Sequence, residues 1–477
     1  MKRRLVPVIF PLIVAACAVG PDFERPPVPA GKTLEAPPTI SDQRFDRQAD
    51  IQADWWRLYR SAALDKLIAE ALQHNADLAA AQAALKVAQE AAAANEGVFY
   101  PNLQGSFQAI RQKDPTGSVS STSASGVPQL NLFTPQVSVS YSPDLWGGNR
   151  RSQESADALA MAQNFQTEAT YLTLIGNVAV AAINEAALRG QVADCQRIVE
   201  LARESLDILK HQLKVGQVAE ADMLAQEQVL AQAEQTLYPL AQKLDQQRHQ
   251  LSALLGRMPA DVSWDPVEIK DLTLPADLPS AVPSKLVEQR PDIRMAEANL
   301  QSASAQIGVA IANRLPNITL DAAAGSTATK IQDLFKPGNG LWNFSATLTQ
   351  PLFDGFSLLH REREARAAYD QAAAQYRGTV ITAFENVADS LNALKFDADS
   401  LKSARVADAA AWRSFEIAKK QYQVGQIPYL ALAAAEQAAL QTRIVRVQAE
   451  ANRFEDSAAL LQALGGGWWN RKTASES

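Results

Sequence analysis

The chain repeats itself, and the repeat covers about four fifths of its length. Residues 77–103 match residues 292–318 at an offset of 215 positions, and residues 214–218 match residues 423–427 at an offset of 209. Between these blocks, Leu145-Trp146-Gly147-Gly148 matches Leu352-Phe353-Asp354-Gly355. Such a chain must fold as two copies of one unit. Each copy has the order helix, strands, glycine turn, long helix, Val-Gly-Gln and a further helix.

Residues 1–16 have the pattern of a lipoprotein signal peptide. Three basic residues precede an apolar run from Leu5 to Ala16, which is too short to span a bilayer. The run ends in Val14-Ala15-Ala16-Cys17, which resembles the bacterial lipobox, in which the cysteine receives lipid and becomes the mature N-terminus. The alternative is an ordinary signal peptide with a chance cysteine. Ala18, in place of an aspartate, favours the outer membrane of a Gram-negative bacterium.

Composition narrows the possible partners and bound groups. Without its leader the chain has 42 basic and 52 acidic residues, a net charge of −10, which argues against nucleic acid as a partner. The only cysteine besides Cys17 is Cys195, so an intramolecular disulfide is excluded once Cys17 is acylated, and we expect Cys195 to be buried. We expect no cofactor beyond the lipid, no metal site, and no transmembrane helix after the leader.

Helical periodicity dominates the rest of the chain. After a proline-rich tether (17–54) come a first repeat (55–270), a second repeat (271–467) and a short tail (468–477). Each repeat has a helix (63–98 and 283–314), a helix of about 60 residues (151–213 and 358–422), and a third helix after Val-Gly-Gln (219–256 and 428–464). About 60 residues give a helix roughly 90 Å long, which predicts hairpins that pack as coiled coils.

Four segments alternate strictly between apolar and polar residues, beginning after Pro101 and Pro316. The pattern predicts strands with Phe107, Tyr141, Trp342 and Phe344 on a lipid-facing side and polar residues on the other. A soluble β-sandwich would explain the alternation but not the very long helices. Four strands have two open edges, which hydrocarbon cannot satisfy, so several copies must combine. Three copies would give about 12 strands, within the range of outer-membrane barrels.

At this point the chain resembles the outer-membrane factors, the TolC-like and OprM-like exit ducts of tripartite efflux systems, and in particular their NodT-type lipoprotein branch. The resemblance extends over essentially the whole mature chain. The motifs that carry it are Cys17 with Val19-Gly20-Pro21-Asp22-Phe23, Trp55-Trp56-Arg57-Leu58-Tyr59, Asn75-Ala76-Asp77-Leu78, the two Pro-Asn strand entries, Leu145-Trp146-Gly147, Pro351-Leu352-Phe353-Asp354-Gly355 and both Val-Gly-Gln turns.

The resemblance implies a homotrimer that is mainly α-helical. Long α-helical hairpins would form a trimeric α-barrel in the periplasm, and four strands per chain would complete a 12-stranded β-barrel in the outer membrane. Small molecules would pass through it passively, driven by an inner-membrane pump of the resistance-nodulation-division, major-facilitator or ABC type. A periplasmic adaptor would contact the hairpin tips at Val215, Gly216, Gln217, Val424, Gly425 and Gln426. The two glycines are equally explained as helix C-caps.

The predicted periplasmic aperture departs from the family pattern. Ala434 and Gln437 occupy the positions where the OprM-like branch often has the Asp and Arg of a closing ring. An ion-pair lock therefore cannot be assumed. Leu430, Glu436 and Gln437 are candidate constriction residues, with ordinary packing as the alternative. The tips differ between repeats, which makes the second hairpin the better candidate for gating.

An enzyme is not indicated, because the four histidines lack metal-ligand spacing and no nucleophile or phosphate-loop motif occurs. Transport of an unspecified small molecule is the preferred interpretation. The alternatives are a type I secretion exit duct and, from another class, a lipid-anchored trimeric coiled-coil adhesin. A periplasmic adaptor would have one helical hairpin instead of two.

Overall fold

The computed structural model describes residues 18–27, 39–40, 42–46, 49–113, 129–261, 263–279 and 288–471. The predicted signal peptide, Cys17, residues 114–128 and the end of the tail lie outside these residues. In chain order the strands and α-helices are β1 (Thr39–Ile40), β2 (Gln43–Asp46), α1 (Ala62–His74), α2 (Ala76–Glu96), β3 (Asn102–Lys113), β4 (Gln129–Tyr141), α3 (Gly148–Lys214), α4 (Glu220–Leu254), β5 (Asp277–Pro279), α5 (Pro291–Ala312), β6 (Asn317–Ser326), β7 (Gly340–Thr349), α6 (Ser357–Gln423) and α7 (Tyr429–Ala463).

The two helical hairpins have identical lengths. Helices α3 and α6 each contain 67 residues, and helices α4 and α7 each contain 35. A single offset of 209 positions relates both pairs, so every residue of the first hairpin has a counterpart in the second. A helix of 67 residues is about 100 Å long. The predicted long helices are confirmed, with ends within three residues of the predicted ones.

The chain divides into two compact units. The sheet unit contains Lys86–Ala162, Glu297–Gln375 and the described residues up to Arg25. The hairpin unit contains Pro26–Leu85, Gln163–Ala296 and the described residues from Tyr376 onward.

The sheet unit is built on one four-stranded sheet of order β3-β4-β6-β7, in which all neighbours are antiparallel. Strand β6 needs glycine at position 325, because a Cβ there would lie 2.3 Å from the carbonyl oxygen of Pro135 on β4. The N-terminal segment is held by the buried Arg151, which donates to the carbonyl oxygen of Val19 at 3.3 Å and to Asp22 at 2.5 Å.

The hairpin unit has the larger hydrophobic core, which includes Trp55, Tyr59, Ile183, Leu251 and Phe454. A small sheet of order β1-β2-β5 lies in this unit. Its first two strands fall in the extended tether predicted for residues 17–54, and their pairing into a sheet was not predicted.

This sheet could not be predicted because the residues that β2 contacts are far from it in the sequence. Strand β2 pairs in parallel with β5, more than 200 residues away. Its Gln43 is fully buried and donates to the carbonyl oxygen of Pro275 at 2.9 Å and to Ser457 at 3.1 Å. The sequence around β2 does not indicate these distant partners.

The predicted helix over 63–98 is two helices, interrupted at Asn75. The backbone of Asn75 is extended, and its side-chain oxygen accepts from the N–H of Leu78 at 3.0 Å, which caps α2. Its amide donates to the carbonyl oxygen of Leu254 at 3.0 Å. Asn75 therefore forms hydrogen bonds with the first turn of α2 and with the last residue of α4.

One described helix, α3, has a segment long and apolar enough to cross a membrane, which the sequence analysis did not expect. Of that segment, 67% is buried inside the protein, as in the core helix of a soluble protein.

Candidate functional site

The sheet has one apolar face, as the alternation predicted. The register aligns Leu103 with Val139, and it aligns Ala324 with both Val137 and Trp342. Large side chains on this face are exposed in the single chain: Leu103 by 69%, Phe107 by 57%, Trp342 by 81%, Phe344 by 67% and Leu348 by 66%. An apolar face this exposed requires an apolar environment.

The apolar band ends near the loop that joins β3 and β4. After Ala109 the alternation reverses, and Arg111 occupies the face that Phe107 and Ala109 share. The run from Leu103 to Ala109 is about 20 Å long at the usual rise per residue of a strand. Because barrel strands are tilted by about 35–45°, this run covers about 15 Å of the apolar band of about 25 Å in outer-membrane barrels.

The opposite face is polar and carries little charge. The register aligns Gln104 with Ser138, and Thr319 with Thr347. Strands β3 and β7 are the two outer strands of the sheet. Their outer edges present backbone N–H and C=O groups that a bilayer cannot satisfy, so further strands must pair with them in the membrane.

Both hairpin tips use the same helix-ending geometry. In the first, the N–H of Gln217 donates to the carbonyl oxygen of Gln212 at 2.9 Å, and the N–H of Gly216 donates to that of Leu213 at 3.0 Å. This is the Schellman arrangement, which needs a left-handed residue, and Gly216 has φ +77°. The C-cap interpretation of the glycine is confirmed.

The second tip repeats the arrangement one offset later. The N–H of Gln426 donates to the carbonyl oxygen of Gln421 at 2.9 Å, and the N–H of Gly425 donates to that of Tyr422 at 2.9 Å. Gly425 has φ +72°. A Cβ at either tip glycine would meet no atom within 4 Å.

All six residues predicted to contact an adaptor are exposed. Val215 and Val424 are both 69% exposed. The structure therefore presents each tip as a small apolar and amide surface that nothing covers in the described part of the chain.

The helices that follow the tips begin differently. Helix α4 begins with an acidic first turn, in which the Asp222 carboxylate accepts from the N–H of Ala219 at 3.3 Å. Helix α7 begins after Pro428 with Tyr429, which is only 4% exposed and lies edge-on to Tyr422 with ring centroids 5.2 Å apart. Burial raises the pKa of Tyr429 well above its usual value.

The three candidate aperture residues lie in different environments. Leu430 is 62% exposed, whereas Glu436 is 7% exposed. Gln437 donates to the side-chain oxygen of Gln232 on α4 at 3.1 Å, which links the two hairpins. The structure does not bring the three together on one surface, and their role at an aperture stays a prediction.

The burial of some polar groups of the hairpin unit was not predicted from the sequence. Glu436, a candidate aperture residue, is buried, and burial raises the pKa of its carboxyl group. Asp456 is half-buried and was not singled out, and burial together with the neighbouring Asp397 raises its pKa to about 7. Cys195 is fully buried, as expected, and burial raises the pKa of its thiol. Within the described residues, no group of His, Cys, Asp or Glu could hold a metal ion.

Comparison with known proteins agrees with this architecture. The sequence matches the family described as outer membrane efflux protein over residues 67–257 and 282–466. It is 30% identical over 478 residues, with 96% of each chain covered, to the pyoverdine export outer membrane protein OpmQ of Pseudomonas aeruginosa. It is 28% identical over 480 residues, with 98% of each chain covered, to the toluene efflux pump outer membrane protein TtgF of Pseudomonas putida. The solved outer-membrane channel OprN superimposes with a TM-score of 0.84 at 25% identity, over 95% of this chain and 100% of that one.

The chain belongs to the outer membrane efflux protein family. It is an outer-membrane channel of an efflux pump, located in the outer membrane, and its family is one of transport proteins. The predicted fold class is confirmed: long α-helical hairpins form an α-barrel in a trimeric channel, and each chain adds four strands to a β-barrel. These relatives support the efflux channel over the secretion duct and the adhesin.

Proposed function

We propose that this channel receives its cargo from a periplasmic adaptor that docks end-on at both hairpin tips. The observation that carries the proposal is the matched pair of tips. Each has the same Schellman backbone, an exposed valine and an exposed glutamine, at positions related by the 209-residue offset. Three chains would present six such tips in a ring, a surface suited to a partner with repeated contacts.

The physical chemistry of the tips fits docking. Covering an exposed valine removes its apolar surface from water, which stabilises a complex. The glutamine amides can donate and accept hydrogen bonds that fix the orientation of the partner. The two glycines leave open space, so a partner backbone can approach closely.

The docking proposal is tested by placing charge on the tips. Val215→Asp combined with Val424→Asp should abolish export in a host that lacks its own exit duct and co-expresses an adaptor and a resistance-nodulation-division pump. Conductance of the purified trimer in planar bilayers should be unchanged. A matched control is Met258→Asp, since Met258 is 78% exposed but follows the other end of α4. Full export by the tip variant would overturn the proposal.

The same arrangement leaves the class of pump open. The relatives include a pyoverdine export protein and a protein of a toluene efflux pump. We infer that the pump and the adaptor select the cargo rather than the duct. Exchanging the co-expressed pump for a major-facilitator or an ABC exporter, with the adaptor of each, would identify the productive class.

Lipid on Cys17 is a separate part of the proposal. It rests on the sequence Val14-Ala15-Ala16-Cys17 and on Ala18 at the next position. Mass spectrometry of the mature N-terminal peptide should show a diacylglyceryl and an N-acyl group. Replacing residues 1–17 with an export signal that has no lipobox cysteine should give an N-terminus without lipid, while the strands still hold the protein in the membrane. An unmodified Cys17 in the mature protein would exclude the anchor.

A further inference from the structure

The hairpin unit contains a cavity of about 370 Å³ between α3, α6 and α7. This volume is within the range of small-molecule binding sites. One wall is aromatic, because Trp412 and Phe415 lie with ring centroids 5.6 Å apart. Ile198, Leu201 and Leu440 add aliphatic surface. The cavity can therefore hold an apolar ring system.

The charges of the cavity are not equivalent. Arg443 is already engaged, since it donates to Asp194 at 3.0 Å and its guanidinium lies 5.6 Å from the centre of the Trp412 ring. Arg197 is exposed at the margin, where water screens it. Neither arginine leaves a buried positive charge in need of a partner.

Glu436 is the exception. It lines the cavity and is 93% buried, no hydrogen bond or ion pair joins its carboxylate to a described residue, and the charge of Lys419 acts on it only through space. A buried carboxylate without a hydrogen bond is costly unless it reaches water or a ligand, and the carboxylate oxygens of Glu436 are not fully enclosed. The first hairpin shows the contrast, because the counterpart one offset earlier, Glu227, is exposed.

We propose that this cavity binds a small arylalkylammonium ion, with its ring against Trp412 and Phe415 and its ammonium group paired with Glu436. A cation fits because Glu436 is the one buried charged side chain of the cavity lining that makes no hydrogen bond or ion pair. An aromatic or similarly flat body is required by the two rings of the wall, which also attract a positive charge. The site is distinct from the hairpin tips and does not depend on the docking proposal.

Protonation of Glu436 gives the site a pH dependence. Burial raises the pKa of Glu436, so its carboxyl group takes up a proton at a higher pH than an exposed glutamate. The surrounding charges are Asp194 and Arg197 on α3, Lys419 on α6, and Arg443 on α7. Only the ionised form pairs with an ammonium group, so affinity should fall as the pH is lowered.

The test uses the full-length trimer in detergent, titrated with tryptamine in a calorimeter. Tryptamine should bind saturably and about tenfold or more tighter than neutral N-acetyltryptamine, because the ammonium group alone can pair with Glu436. Glu436→Gln should remove that preference, and Trp412→Leu should weaken both compounds. Glu227→Gln is the matched control and should bind tryptamine as the unmodified protein does.

Two results would overturn the proposal: no saturable binding of tryptamine to the unmodified trimer, or equal affinity for tryptamine in Glu436→Gln. Gel filtration checks that each variant remains trimeric. A measurement without ligand adds a second check. Glu436→Gln should raise the thermal unfolding temperature, because it removes a buried charge without a partner, whereas Glu227→Gln should leave that temperature unchanged.

Discussion

The two helical hairpins have helices of matching length but differ in the charged residues that they bury. The first hairpin buries Glu185, which is 3% exposed, and pairs it with Arg189 at 3.4 Å and Arg248 at 3.2 Å. At the three corresponding positions, 209 residues later, the second hairpin has Leu394, Ala398 and Ser457. The ion-pair network of one repeat is replaced by small and apolar residues in the other.

The second hairpin has half-buried acids at two places where the first has none. Asp397 and Asp456 correspond to Leu188 and Gln247 of the first hairpin. The side chain of Gln247 is neutral and donates to the carbonyl oxygen of Ala181 at 3.3 Å. At these positions the first copy has an ion-pair network and a neutral amide, whereas the second copy has Asp456, whose pKa is raised.

The largest expected effect comes from removing the ion-pair partners in the first hairpin. Arg189→Met with Arg248→Met leaves Glu185 buried without a cation. We expect a loss of about 3–5 kcal/mol in the free energy of unfolding, the usual cost of an unpaired buried charge. Urea unfolding of the detergent-solubilised protein, followed by helical circular dichroism, measures it.

The control for this variant is provided by the repeat. Adding Glu185→Leu, the residue found at position 394, should restore most of the lost stability because no charge then remains to be paired. A loss below about 1 kcal/mol in the double variant would mean that water reaches Glu185 as it does at the surface.

The next effect is the pH dependence of the second hairpin. Burial, with Asp397 beside it, raises the pKa of Asp456 from 3.8 to about 7. Between these values the folded protein keeps a proton that the unfolded chain has released. The contribution of this group to stability is therefore full below pH 3.8 and is lost as the pH rises towards 7. The slope is at most about 1.4 kcal/mol per pH unit for one proton.

Asp456→Asn should flatten this part of the profile, measured as the unfolding temperature at a series of pH values from 4 to 8. The control is Asp245→Asn on α4, because the Asp245 side chain is 67% exposed. If Asp456→Asn keeps the slope of the unmodified protein, the titrating group lies elsewhere and the contrast between the hairpins is not electrostatic.

Features with a local sequence signal could be predicted, whereas features that depend on distant residues could not. The long helices, the four strands and the tips follow from periodicity and from glycines at fixed offsets, which are local signals. Strand β2 and the break at Asn75 depend on Ser457 and Leu254, each more than 150 residues away. Glu436 was noticed as an aperture residue, but its burial could not be foreseen. An alanine-rich helix has no periodicity strong enough to show which face is covered.

The smallest expected effect comes from replacing the tip glycines. It tests whether the same substitution costs the same free energy at both tips. Gly216→Ala and Gly425→Ala each force an L-residue into the left-handed region at φ +77° and +72°, which costs about 1 kcal/mol. No atom lies within 4 Å of the new methyl group at either site, so strain is the only term. Hydrogen exchange of the tip peptides should therefore show equal loosening in both variants. A larger effect of Gly425→Ala would mean that Tyr429, buried beside the second tip, resists the adjustment that the first tip allows. That outcome would assign the difference between the hairpins to packing at the tip as well as to charge along the helices.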